Sequence, residues 1–137
     1  MKLWDKEIST EQRILAFTTG KDPVYDLDLA PYDVAASMAH VIMLAETGLI
    51  AREKAEMLVA DLKGYYQEAL EGRLTLDPGV EDIHSQVEMM LTRNLGDLGK
   101  LIHTGRSRND QVMVDIKLFL RDQIQELAKG ISRLAIA

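Results

Sequence analysis

The sequence predicts an all-α protein: a small N-terminal helical domain followed by the start of a long central-bundle helix. Three observations carry that prediction. Apolar residues recur at steps of three and four through most of the chain, the period of an amphipathic helix. No stretch alternates with period two, and no internal repeat or low-complexity tract interrupts the pattern. The final stretch, Met113, Ile116, Leu120, Ile124, Leu127, Ile131 and Leu134, approaches a heptad seam and implies packing against other long helices.

The elements follow in order. Residues 7–17 can hold a short helix. Residues 18–31 suggest extended or looped chain, punctuated by Gly20, Pro23 and Pro31. A helix is expected over 31–46, with Pro31 in its first turn, Val34, Met38, Val41, Ile42 and Ala45 on one face, and Gly48 just past its end. A second is expected over 51–71 with the stripe Leu58, Leu62, Tyr65 and Ala69, and the short link between them makes antiparallel neighbours. After a connector containing Pro78, a third helix is expected over 81–94. Glu81 and Asp82 sit in its first turn, and Ile83, Val87, Met90 and Leu91 form its stripe. The last helix starts at Asn109 or Asp110, either of which can cap it. The domains are therefore expected at 1–108 and 109–137. Met38, Met43, Met57, Met89, Met90 and Met113 read as core filler. The Lys/Glu-rich face of 52–73 reads as solvated.

Composition narrows the function. The chain has 137 residues, no cysteine and a formal net charge of −6, so it offers no disulfide framework, no thiolate chemistry and no general basic face for nucleic acid. The charged N-terminus Met1-Lys2-Leu3-Trp4-Asp5-Lys6-Glu7 is unlike a signal peptide, and no apolar run is long enough to span a membrane, which leads to a cytoplasmic expectation. The histidines His40, His84 and His103 lie far apart in sequence, so no metal site is expected, and no phosphate-binding glycine loop or nucleophile elbow occurs.

The chemistry concentrates in His103-Thr104-Gly105-Arg106-Ser107-Arg108-Asn109-Asp110-Gln111, which gathers two arginines, two hydroxyls, amides and a carboxylate before a helix. A polar loop entering a helix N-terminus suits a carboxylate or phosphate, because unpaired amides and the helix dipole face the ligand. Guanidinium forks match carboxylates, hydroxyls donate to the same oxygens, and Asn109 both donates and accepts. Arg106 is open between structural pairing and substrate contact. Asp110 reads as a cap or an arginine partner. His40 and His103 read as structural, and so does His84 by itself.

The run 103–112, His-Thr-Gly-Arg-Ser-Arg-Asn-Asp-Gln-Val, resembles the first signature segment of the argininosuccinate lyases, within the fumarase/aspartase superfamily. Glu81-Asp82-Ile83-His84, Gly96, Gly99-Lys100-Leu101, and residues 33–48 with Ser37, Ala39-His40 and Leu44 are similar to the same family. The likeness covers nearly the whole chain. It implies a cofactor-free carbon–nitrogen lyase of arginine biosynthesis that splits L-argininosuccinate into arginine and fumarate. It also implies a homotetramer whose active sites draw on three subunits. Ser107, Arg108, Asn109 and Thr104 are implied as substrate-binding, with Arg108 on a carboxylate and Asn109 on the amino-acid moiety. Arg106, His84, Asp110 and Gln111 are implied as supporting the site.

Two features depart from the family. Neither its base-bearing Gly-Ser-Ser-x-Met-Pro-x-Lys-Lys-Asn loop nor its proposed acid histidine occurs in these 137 residues. No catalytic residue is therefore assigned here, and the chain is expected to be the N-terminal part of a longer protein, inactive alone. The family's substrate-binding serine shortly before the position of Asp26 is also missing from Thr18-Thr19-Gly20-Lys21-Asp22-Pro23-Val24-Tyr25. A non-enzymatic protein on the same scaffold, or a superfamily lyase acting on adenylosuccinate, aspartate or fumarate, is the alternative.

Overall fold

The computed structural model describes residues 20–136 together with Ile14, Phe17 and Thr18. The short helix expected over 7–17 lies outside the described residues except at Ile14 and Phe17, both of them helical. The described residues contain no strand. They form α1 (Asp22–Glu46), α2 (Arg52–Leu70), α3 (Ile83–Leu95), a 3-10 segment (Gly96–His103) and α4 (Arg108–Ile136). The all-α prediction holds.

Helix α1 corrects the expected loop at its start. Pro23, not Pro31, occupies the first turn, and Asp22 places negative charge there. Pro31 lies inside the helix, where it removes one amide from the ladder. The helix continues past it because Ala30, Asp33, Val34 and Ser37 are buried on both sides of the proline, and tertiary burial outweighs a local cost. Gly48 ends the helix as expected. At φ +75° it lets Leu49 N–H donate to Leu44 O at 2.9 Å and its own N–H donate to Ala45 O at 3.1 Å.

The core joins α1, α2, α3 and the 3-10 segment. Val34 and Val41 meet Leu58, Leu62, Ile83, Val87, Leu91 and Ile102, with Met38, Ala45, Ala69 and Met90 packed around them. The stripes read for α2 and α3 face inward. On α1 the face is rotated slightly, so that Leu44 is buried and Ile42 is exposed. The methionine expectation is corrected for Met43, Met57 and Met113, which face outward. Unbranched side chains on an exposed helix face cost little there.

Gly99 explains how α3 passes into the 3-10 segment. A Cβ at this position would lie 2.5 Å from Thr92 N and 2.6 Å from Leu91 C, so only glycine lets the two backbones touch. The first half of α4 packs on α1, with Gln111 and Asp115 buried and the Tyr32 and Phe119 rings edge-on at 5.8 Å. Beyond Phe119, the expected seam is present but bare: Leu120, Ile124, Leu127, Ile131 and Leu134 are all exposed.

Candidate functional site

The loop between the 3-10 segment and α4 is held from several directions. Its turn uses Gly105 at φ +68°. His40 Nε2–H donates to Thr104 O at 2.9 Å. The buried Gln111 donates through Nε2 to His103 Nδ1 at 2.9 Å, which leaves the His103 Nε2–H facing Glu88 at 3.4 Å. Both histidines thus help to hold the loop, and burial lowers the His40 pKa despite that bond.

The cap of α4 is neither Asn109 nor Asp110, which corrects the sequence reading. Ser107 takes that place: its Oγ accepts from Asp110 N–H at 3.3 Å, while Asp110 Oδ2 accepts from Ser107 N–H at 2.9 Å and from its hydroxyl at 2.7 Å. This reciprocal arrangement is a capping box, and those bonds hold the Asp110 carboxyl below its ordinary range. It outcompetes Asn109 because the acid three residues after Ser107 closes the second bond. Asn109 is exposed, and its side chain forms no hydrogen bond among the described residues.

The two arginines diverge. Arg108 forms an ion pair with Asp82 and donates from Nη2 to Ser85 Oγ at 3.3 Å, so its guanidinium bridges the start of α4 to the start of α3. Asp82 also caps α3 through Ser85 N–H at 2.8 Å instead of lying within the first turn as expected. Arg106 turns inward and donates from Nη2 to the buried Ser37 Oγ at 3.0 Å, while its Nε is buried without a partner. Burial lowers the Arg106 pKa, and the charges of Asp33, Asp115 and Asp110 oppose that.

Beneath the loop lies a buried group of which the sequence pointed only to His84. His84 Nδ1–H donates to Asp33 at 2.6 Å and stands 3.8 Å from Asp115 Oδ2, with all three side chains buried. Asp26 joins through the amide of Ile83, which donates to its carboxylate. Burial alone would lower the His84 pKa, but the bond and charge of Asp33, with the charges of Asp115 and Asp26, raise it. Burial raises Asp26, and burial followed by the charge of Asp33 pushes Asp115 up to about 7. A signal was available: Asp26, Asp33, Ser37 and His40 step by helical spacing along one face, as do Gln111 and Asp115.

Ligating atoms of Asp33, His84 and Asp115 lie within 4.8 Å of one another, the one such group among the described residues. The spacing of the histidines in sequence could not show it, because three separate segments build it. Its donor set suits protons and guanidinium better than a metal: His84 Nδ1 is already committed to Asp33, and Arg106 supplies fixed positive charge nearby. No helix among the described residues is long and apolar enough to cross a membrane.

Comparison with known proteins gives a consistent picture. A lyase family model matches residues 7–137. An argininosuccinate lyase of Parabacteroides distasonis is 53% identical over 97% of this chain and 30% of its own length. One from Bacteroides thetaiotaomicron is 52% identical over the same shares, and one from Streptococcus agalactiae is 42% identical over 98% of this chain and 29% of its own. The chain therefore spans about 30% of the length of the curated relatives it matches.

Proposed function

The chain belongs to the lyase family, and from that premise we propose that the complete protein cleaves L-argininosuccinate to arginine and fumarate. The observation that supports this most is the meeting of 81–85 with 104–109, where Asp82 and Ser85 hold Arg108 at the mouth of the polar loop. The same substrate is the one in the name of the relatives that are about half identical to this chain over the stretch they share.

The reaction is an elimination. A base takes a proton from the carbon beside a carboxylate, negative charge builds on that carboxylate, and an acid protonates the departing guanidino nitrogen. In this reading Arg108 and the hydroxyls of Ser107 and Thr104 bind a substrate carboxylate, and donors fixed in advance stabilise the growing charge. Asn109, exposed beside them, reaches the amino-acid end. Arg106, His84, Asp110 and Gln111 hold the loop from behind. The proton transfers are assigned to other segments of the complete enzyme. The 137-residue chain alone is accordingly proposed to be inactive. The full protein is proposed as a cytoplasmic homotetramer, with 1–108 as a helical domain and 109–137 opening the central bundle; the bare apolar seam of α4 supports the assembly.

Fumarate release from argininosuccinate tests the reading. The complete enzyme turns over, and Arg108→Ala or Asn109→Ala lowers turnover more than about tenfold, in line with charge-assisted bonds of about 1.5–3 kcal/mol. Near-normal kinetics in both variants remove these assignments. Turnover by the isolated chain removes its proposed inactivity.

A further inference from the structure

Four buried side-chain atoms lack a hydrogen-bond partner: Asp33 Oδ2 and both Asp115 carboxylate oxygens, which belong to one cluster, and Nε of Arg106, whose Nη2 reaches Ser37 one turn from Asp33 and which feels the charges of Asp33 and Asp115. Such atoms are costly when unused, so their gathering in one place calls for a reason. The cluster draws on three helices and the loop. Asp26 and Asp33 come from α1, His84 from α3, Asp115 from α4 and Arg106 from the loop itself. Ser37, one turn beyond Asp33, receives the Arg106 guanidinium at 3.0 Å. Gln111, one turn before Asp115, ties back to His103.

We propose that Asp33, His84 and Asp115 are positioning residues that fix Arg106, and through it the 103–111 loop, in its substrate-binding arrangement. The proposal rests on the lyase reading. Three carboxylates, Asp26, Asp33 and Asp115, face two cations, His84 and Arg106, which leaves one surplus negative charge in a buried place. A proton on Asp115 removes it. The protonated carboxyl becomes a donor, and Asp33 Oδ2 is an unused acceptor within the same group. Around neutral pH that proton is lost, the surplus charge returns beneath an anion-binding loop, and binding of a carboxylate substrate weakens.

Two measurements decide it. In the 137-residue chain, thermal unfolding is followed from about pH 5 to about pH 7.5. The wild type loses stability across that window, and Asp115→Asn, equal in size and permanently neutral, removes at least half of the loss. An unchanged pH slope in Asp115→Asn overturns the proposal. So does a rise in unfolding temperature on adding zinc ion alone to the wild type, which would make the cluster a cation site. In the complete enzyme, KM for argininosuccinate rises at least about fivefold from about pH 6 to about pH 8, and Asp115→Asn flattens that rise. Asp33→Asn raises KM about tenfold with a smaller effect on kcat. Loss of kcat at constant KM in both variants overturns the positioning role. Absence of turnover in the wild type overturns the lyase reading instead, and the unfolding result still judges the cluster.

Discussion

Ser107 shows how one residue serves two levels of organisation. Its hydroxyl and amide close a box with Asp110, and that box caps α4 at its first residue, Arg108. The same hydroxyl is proposed to face the substrate, so capping and binding compete for one oxygen. Ser107→Ala is expected to destabilise the chain by about 0.5–2 kcal/mol, the usual cost of a lost cap, measured by denaturant unfolding. An unchanged midpoint would show that Asp110 alone sustains the helix start. The choice of Ser107 over Asn109 was within reach of the sequence, since the acid three residues on is the mark of a capping box. The inward turn of Arg106 was not, because its acceptor Ser37 is remote in the chain.

The elements were legible where local periodicity and burial agree. The faces of α2 and α3 follow directly from Leu58, Leu62, Tyr65, Ile83, Val87 and Leu91. The start of α1 was not legible, because a proline inside a helix is a local penalty that only buried neighbours offset. Gly99 marks the other kind of constraint, a contact between backbones. Gly99→Ala is expected to cost about 1–3 kcal/mol through forced separation of the 3-10 segment from α3, read as a lowered unfolding midpoint. Helix α4 carries the opposite situation, a seam with nothing on it. If its exposed leucines and isoleucines form the proposed assembly, Ile124→Lys with Ile131→Lys lowers the sedimentation mass of the complete protein while helicity stays near that of the wild type. An unchanged mass would place the subunit contacts elsewhere.

At the scale of the whole molecule, the buried charges set the response to pH. Asp115 holds its proton to about 7 in the folded chain, against an ordinary 3.8. Across that interval the folded state binds a proton the unfolded state has lost, so stability falls as pH rises. His84, raised above its ordinary 6.5, adds stability that is complete below that value and disappears as pH climbs past it. Asp110 works the other way: its lowered pKa gives stability present above its ordinary value and lost on acidification. The chain should therefore unfold at its highest temperature in mildly acidic solution and at progressively lower temperatures toward alkaline pH, by calorimetry over a pH series. A maximum above neutral pH would contradict the charge assignment of the cluster.

The helical class, the inward faces of α2 and α3, and the segment in which the chemistry concentrates can all be read along the chain. These depend on short-range periodicity and on a contiguous run of residues, both written along the chain. It takes the packed fold to show that Arg108 is shared between α3 and α4, that Arg106 points inward, and that Asp33, His84 and Asp115 form one buried group. Partners more than twenty residues apart meet only after packing. The loss of water that packing brings is also the first cause of the raised Asp115 pKa.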